Sequence, residues 1–506
     1  MKIFPITVRN VLLLILFLSS FYKIEGQSNF YYGLNSASSL RSGQLSNHLF
    51  QPNKLNNNVL AKIAKADSIS DYIPWESQKH FGTALGELGI VQLIPWTYAR
   101  WITKWDDPSE NWSKVGFKSW WRNLNLGWEY DEDKFLTNYF AHPYHGNLYF
   151  NSGRANGYDF GESAVWSFAG SAIWEFFAET ERPSFNDWIN TSVNGIVLGE
   201  ITYKLATYVT DNTVNGSHRI WTEIAGALIN PVRGFSRLIS GEAYRVFPNP
   251  EWRIPKNFYL LFNGGFRQLD RDGDGDEIIK EGVQEGLFDF EVYYNNGFGK
   301  DLDVPFSSIN FSASIVSGSP NLTQLSANGN LYGWLLNKKS NRSHILNITL
   351  QYNYFNNPRF IYGGTSVIPH LISSFKIKNN LYINTTLGLN VVLMGATPND
   401  YYTNGEGRDY DFGPGIGNYL AAVLKNGIWD LIRVYYQGQW IWTQSEPGDS
   451  RHHLHTLWID AQYPLTSYFA IGFGSGVFWR ESYYDNFNDI TIDVPIVKVF
   501  FKTAIF

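Results

Sequence analysis

The stretch FAIGFGSGVFW, residues 469–479, sets Phe469, Ile471, Phe473, Val477 and Trp479 on one side of an extended chain and Gly472, Gly474 and Gly476 on the other. Successive side chains of a strand point to opposite faces, so this period of two describes a strand with one apolar face and one slim face. The alternation recurs outward from it. In residues 344–354, His344, Leu346, Ile348, Leu350, Tyr352 and Tyr354 oppose Asn347, Thr349, Gln351 and Asn353. In residues 381–393, Leu381, Ile383, Leu387, Leu389, Val391 and Leu393 oppose Tyr382, Asn384, Thr386, Gly388 and Asn390. From Phe258 onward about twelve segments read this way, each near the length a tilted strand needs to cross a hydrocarbon layer.

The links separate a membrane barrel from a soluble sandwich, which would alternate as well. Counting back from the C-terminus, Tyr483 to Asn488 is long, Pro464-Leu465-Thr466 short, Ser445 to Arg451 long, Lys425-Asn426-Gly427 tight, Ala396 to Pro414 long and Lys378-Asn379-Asn380 tight. Short turns at the periplasmic end and long loops outside are the rhythm of outer-membrane barrels. It weakens at Asn356-Asn357-Pro358, a short link on the outer side. Tyr352, Tyr354, Trp440, Trp442, Phe478 and Trp479 bracket the segments as belt residues do. A closing Phe506 resembles the signal by which the barrel-assembly machinery recognises its clients. Its parity, however, groups it with Lys498 and Lys502 on the lumen face unless a bulge intervenes. Lumen faces rich in Asn, Ser, Thr, Gln and Tyr predict a polar interior.

Composition agrees with an envelope protein. Of 506 residues 44% are hydrophobic, 17% aromatic and 17% charged, so the chain is too apolar for disorder and unusually aromatic. The absence of Cys excludes disulfides, thiolate metal sites and a cysteine nucleophile. A net charge of −6 and no long basic run give no case for nucleic acid. Lys2 and Arg9, followed by VLLLILFL (11–18) and small residues up to Gly26, predict a secretory signal over 1–26, then a flexible mature N-terminus over 27–60.

Between residues 61 and 255 the period becomes helical. Trp96, Trp101, Trp105, Trp112, Trp120, Trp121 and Trp128 alternate with Arg100, Lys104, Lys114, Lys118 and Arg122. That composition suits a segment lying in a membrane interface, and equally one packed within the domain or docked under the barrel rim. Ser163, Ser167, Ser171 and Glu175 recur every four residues, and Thr191, Gly195 and Gly199 form a second small-residue stripe, predicting two closely packed helices. Ser184 with Asp187 reads as the start of the second. Glu175, Glu179, Asp187 and Glu200 need partners there, for which His142, His145, Arg154 and Arg219 are available.

On the residues HPYHGNLYFNSGRANG, WEFFAE, the Ser184/Asp187 start and GEITYKL, the segment from about Leu85 to Arg245 resembles a family of bacterial envelope proteins of the Bacteroidota, known only as a domain of unknown function. The resemblance implies an envelope location and a C-terminal barrel, and assigns no catalytic residue.

Two chemistries remain open. His142 as general base or metal ligand, Glu162, Glu175 or Asp187 as its carboxylate, and Arg154 as an anion clamp would suit a hydrolase of envelope lipid or phosphate. The same residues suit a buried polar network that holds helices together, the reading favoured by the absence of any HExxH, GxSxG or phosphate-cradling loop. In LDRDGDGDEIIKEG, Asp270, Asp272, Asp274, Gly275 and Glu281 hold positions 1, 3, 5, 6 and 12 of a calcium loop, with Asp276 offering its carbonyl, so Ca2+ is the expected cofactor there or the loop is simply a charged hairpin. The reading is an α+β chain: a helical, interface-seeking periplasmic domain (61–255) and an outer-membrane barrel of about twelve strands (256–506), in contact with outer-membrane lipid. Small-solute passage or envelope organisation without chemistry is the leading function, lipid or phosphate hydrolysis the alternative.

Overall fold

A computed structural model describes residues 72–505 except 106, 108–110, 271–281, 296–301, 319, 358–359, 402–407, 446–447 and 449. The expected signal, the mature N-terminus, Phe506 and all but the first residue of the calcium-type loop lie outside the described residues.

The helical domain comprises α1 (Phe81–Thr97), α2 (Phe117–Leu126), α3 (His142–Arg154), α4 (Phe160–Ile173), α5 (Phe185–Ile189), α6 (Gly195–Val209), α7 (Gly216–Ile229) and α8 (Pro231–Ile239). Their starts follow from side chains that accept otherwise orphaned N–H groups. Asp159 accepts from Glu162 N (2.8 Å) while the Glu162 carboxylate accepts from Asp159 N (3.1 Å), a reciprocal cap for α4. Ser184 accepts from Asp187 N (3.2 Å) at α5, and Asn230 from Arg233 N (3.0 Å) at α8, where Pro231 supplies a preset φ.

The predicted small-residue stripes meet other helices. A Cβ on Gly146 would lie 1.7 Å from the Thr191 carbonyl oxygen, and one on Gly195 would lie 2.5 Å from the Gly146 carbonyl carbon, so α3 and α6 touch backbone to backbone. Ser167 on α4 donates its hydroxyl into the same crossing, to Ser192 O at 3.1 Å.

Residues Phe258–Leu269 (β1), Val283–Tyr294 (β2), Ile309–Val316 (β3), Leu322–Lys338 (β4), Arg342–Asn356 (β5), Ile361–Lys378 (β6), Leu381–Pro398 (β7), Tyr410–Asn426 (β8), Trp429–Trp442 (β9), Ser450–Pro464 (β10), Phe469–Tyr484 (β11) and Ile490–Ile505 (β12) form one closed antiparallel barrel. Every strand pairs with its sequence neighbours, and β12 returns to β1 with Ile505 opposite Leu260. The fold is thus a helical domain followed by a twelve-stranded barrel of the outer-membrane type. Tight turns join β6 to β7, β8 to β9 and β10 to β11 at the rim where the barrel begins and ends, called here the near rim. The longer links after β7, β9 and β11 lie at the far rim. The long β2–β3 link is an exception at the near rim. It folds Phe306, at φ 54°, against Gly329 and the Phe160 ring.

The expected facing of side chains holds. Leu387, Leu389, Trp440, Leu457, Phe473, Val499 and Phe501 are exposed on the outer face. Lys498 and Lys502 point inward, and β12 runs against β1 without a register break, so the terminal bulge weighed from sequence is absent between Ile496 and Ile505. The interior is not uniformly polar as expected. Toward the far rim Leu269, Phe360, Tyr362, Ile441, Leu454, Trp458, Phe478, Val494 and Ile496 pack as one cluster. Toward the near rim Tyr259, Leu261, Trp429, Ala470 and Ala504 form another. Charged pairs lie between, with Lys498 reaching both Asp289 of β2 (3.8 Å) and Asp460 of β10 (3.6 Å), and Lys502 reaching Glu291 (3.3 Å). Phe478 on β11 meets Phe360 at 4.7 Å and Phe355 at 6.3 Å between ring centroids, from the opposite side of the ring of strands.

Among the described residues, the helices neither enter the lumen nor cap it. Phe135, Tyr139, Phe150, Val193, Ile196, Val197 and Ile201 share a buried cluster with Tyr294, Ile309, Ala327, Leu350, Tyr352, Tyr354, Met394, Ala396, Tyr410 and Phe412. By strand register these barrel residues belong to the outer face: Tyr352 opposes both Ala327 and Thr365, Thr365 opposes Met394, and Ala396 opposes Phe412. The domain therefore leans on the outside wall, from Phe258 and Tyr294 at the near rim to Tyr410 and Gln444 toward the far rim. Docking under the barrel rim, one of the placements left open for the Trp-rich segment, is thus not the arrangement of the described helices. Strand parity identifies which residues face outward, but not what covers them.

Candidate functional site

The most unusual polar region lies where the helical domain meets β8. Three π-helical turns surround it: Thr137–Ala141 runs into α3, Trp174–Ala178 extends α4, and Asn190–Asn194 joins α5 to α6. Such turns are rare and concentrate at functional positions. His142 follows the first, Glu175 belongs to the second, and Asp187 precedes the third by one helical turn.

His142 Nε2 lies 3.5 Å from Asp187 Oδ2. Asn186 donates to Asp131 Oδ1 (2.7 Å) and Asp187 Oδ1 (3.0 Å), and Asn138 donates to Asp131 Oδ1 (2.8 Å). Glu175 accepts from Ser184 N at 2.9 Å. The barrel closes one side: Asn138 also reaches the Tyr410 hydroxyl (2.9 Å), which donates to Asp133 O (2.7 Å). Among the described residues no Lys or Arg forms an ion pair with Asp131, Glu175, Glu179 or Asp187.

Burial without a counter-cation favours neutral forms. Burial, then the neighbouring carboxylates, holds Asp131, Glu175 and Asp187 well above the usual carboxylate range. Glu179 is pushed up to about 8 by burial and by Asp133. Burial lowers His142 against the opposing pull of Asp133 and Asp131, and lowers His145 to about 4, aided by His142. The surroundings thus favour the neutral forms of these carboxyls and of the imidazole, and groups so placed can exchange protons. The Ser184 hydroxyl is committed to Asn186 Oδ1 (2.9 Å) and to its cap, so it is no nucleophile for His142.

Only part of the expected constellation converges. His142, Asp187 and Glu175 share this region. Arg154 ends α3, twelve residues on, and so lies about 18 Å from His142. There it pairs with Glu200 (2.9 Å) and lies over the Tyr203 ring at 4.3 Å. Glu162 is a surface cap that also pairs with Lys79. Arg154 and Glu162 are therefore held in ion pairs away from His142. Sequence reading missed Asp131, Asp133, Asn138 and Tyr410, because EYDED reads as an ordinary charged link and Tyr410 falls within the long link from Ala396 to Pro414. In the calcium-type run, Asp270 directly follows β1 and is buried; Asp272, Asp274, Asp276 and Glu281 fall outside the described residues.

The Trp-rich segment divides its roles. Trp112 packs on Trp174 (5.6 Å) and Trp128 on Trp188 (5.2 Å), while Trp101 and Trp121 remain exposed.

Comparison with known proteins adds location within the chain more than chemistry. The family model described as a domain of unknown function, DUF3943, matches residues 127–232, the part that carries the polar region and its docking helices. No curated protein matches the chain. Similar solved structures include the NanC porin (10% identity, 47% of this chain and 98% of that one, TM-score 0.24). Others are the outer membrane channel DcaP of Acinetobacter baumannii (8%, 49% and 96%, 0.24) and the KdgM porin (8%, 48% and 99%, 0.21).

Proposed function

We propose that this is an outer-membrane protein whose working part is carried on its wall rather than through its lumen. In this reading a packed barrel anchors a helical domain beside it in contact with lipid, and the role is envelope organisation rather than solute passage. The observation that carries it is the pairing of helices with the barrel's outer face through Tyr352, Thr365 and Tyr410. Bare wall elsewhere presents Leu, Ile, Val and Phe, whereas the covered patch presents hydroxyls that hydrocarbon cannot satisfy.

The domain's free surface supports the same reading. Ile94, Trp101, Phe117, Trp121, Val165, Ile224 and Leu238 are exposed, with Phe117 at 85%. No described helix is long and apolar enough to cross a membrane. Such a surface suits lipid contact beside the barrel more than a freely solvated periplasmic domain.

The interlocked lumen argues against conduction. Planar-bilayer recording of the full chain is expected to show no stable channel, before and after deletion of residues 61–245. Quenching of Trp fluorescence by brominated lipid is expected to be greater in the full chain than in the chain lacking residues 61–245, because the domain's exposed Trp101 and Trp121 add to those of the wall. Steady conductance through the intact protein, or quenching confined to the Trp residues of the wall, would overturn the reading.

A second reading rests on one observation, the convergence of His142, Asp187, Asp131 and Glu175 at three π-helical turns. It is acid–base chemistry on envelope lipid. Turnover of lipid that disappears in His142→Ala but persists in Arg154→Lys would favour it.

A further inference from the structure

On the opposite side of the barrel from the helical domain, β10 and β11 carry His453, His455 and Glu481 on their outer faces near the far rim. Residues two apart on a strand share a face, so both imidazoles project together, and Glu481 stands directly across from His453 in the register. We propose that these three side chains form a site for a divalent first-row transition metal, Zn2+ foremost.

The geometry suits three ligands of one ion. One donor atom from each residue lies within 4.8 Å of the other two. His453 Nδ1 and Glu481 Oε2 are 3.7 Å apart, too far for a good hydrogen bond but suited to two ligands each about 2.0–2.2 Å from a shared zinc. Imidazole and carboxylate together suit Zn2+, Cu2+ and Fe2+ rather than Ca2+ or Mg2+, which prefer oxygen alone.

The surroundings hold the ligands in place. The Tyr436 hydroxyl lies 2.9 Å from His455 Nδ1 and orients that ring, and the Tyr483 hydroxyl donates to Glu481 Oε2 at 2.9 Å. Trp479 stacks on His455 at 4.7 Å and Trp440 on His453 at 5.3 Å. Hydrogen-bonded outer partners of this kind are what fixes ring direction in metal sites. Arg451, the nearest cation along the strand, sits over the Tyr483 ring. His453 and Glu481 are 29% and 36% exposed, so an ion can enter, and three protein ligands leave a coordination position open to water or another ligand.

The site is independent of the helical domain and of the reading above. The test uses the full, untagged chain in detergent, stripped of metal and titrated with Zn2+ by calorimetry. One Zn2+ per chain is expected, weakened by more than about tenfold in His453→Ala, His455→Ala and Glu481→Gln, and unchanged in His218→Ala. Glu481→Gln keeps the side-chain shape on an open wall, and heat-modifiable gel mobility reports an intact barrel. Electron paramagnetic resonance of the wild-type protein with one equivalent of Cu2+ is expected to show coupling to two imidazole nitrogens, a readout that needs no variant. Absence of that coupling, absence of saturable Zn2+ binding, or undiminished affinity in Glu481→Gln and His453→Ala would each overturn the proposal.

Discussion

The Thr365 hydroxyl on β6 donates a 2.7 Å hydrogen bond to Asn194 Oδ1, at the end of the π-helical turn that leads into α6. Both residues are fully buried although Thr365 stands on the outer face of a barrel strand. One bond thus ties the wall to the helical domain close to the α3–α6 crossing.

Thr365→Val keeps the shape of the side chain and removes the donor. Leaving Asn194 buried and unpaired is expected to weaken docking by about 1–3 kcal/mol. Hydrogen exchange should quicken in residues 190–209 with β9–β12 unaffected. Equal protection in both proteins would show that the bond contributes nothing to docking.

Gly146 and Gly195 allow two backbones to touch. Gly195→Ala puts a methyl 2.5 Å from the Gly146 carbonyl carbon, and no rotamer change can relieve a clash with backbone. We expect about 3 kcal/mol of destabilisation of the helical domain, read by thermal melting of its helical circular dichroism. Gly86→Ala on α1 meets nothing within 4 Å and is expected to be neutral or to raise the melting temperature.

Arg154→Ala leaves Glu200 buried, with only Lys204 at 3.7 Å for compensation. A loss of about 3 kcal/mol is expected, seen in the same melt. If Arg154 were instead an anion clamp for a reaction, the variant would melt normally and lose activity.

The pH response has a defined sign. Glu179, raised to about 8, binds its proton more tightly when folded, so its contribution is complete at low pH and disappears as pH rises toward 8. His145, lowered to about 4, acts oppositely, and its effect is complete once pH exceeds the ordinary histidine value near 6.5. Between about pH 6.5 and 8, therefore, only the raised carboxyls act, and the helical domain should melt at a lower temperature as pH increases. Glu179→Gln should reduce that slope. A steeper or unchanged slope would refute this account of Glu179.

Much of the barrel was readable because a strand's period writes its two faces directly into the chain. The alternation over 344–354 placed Tyr352 and Tyr354 outside, and the register agrees. What covers them was not readable, because an aromatic facing lipid and one facing a helix have the same parity. The lumen was misjudged for a related reason. Phe355, Phe360 and Phe478 are far apart in sequence, and only closure of the barrel brings them together. Within the polar region, the helical spacing of Ser163, Ser167, Ser171 and Glu175 identified a buried stripe correctly. The grouping of His142 with Arg154 failed on length alone, since HPYHGNLYFNSGR is one uninterrupted helix that holds its ends apart.

The docking patch on the wall is assembled from β2 through β8, all of which follow the helical domain in the chain. The part made first by the ribosome must therefore settle last, after its landing place has been built. Until then the faces of α3 and α6 that end against the strands have no partner. Pulse-labelled protein is expected to gain its barrel-type gel mobility before residues 127–232 become protease-resistant, and the reverse order would exclude this sequence of events.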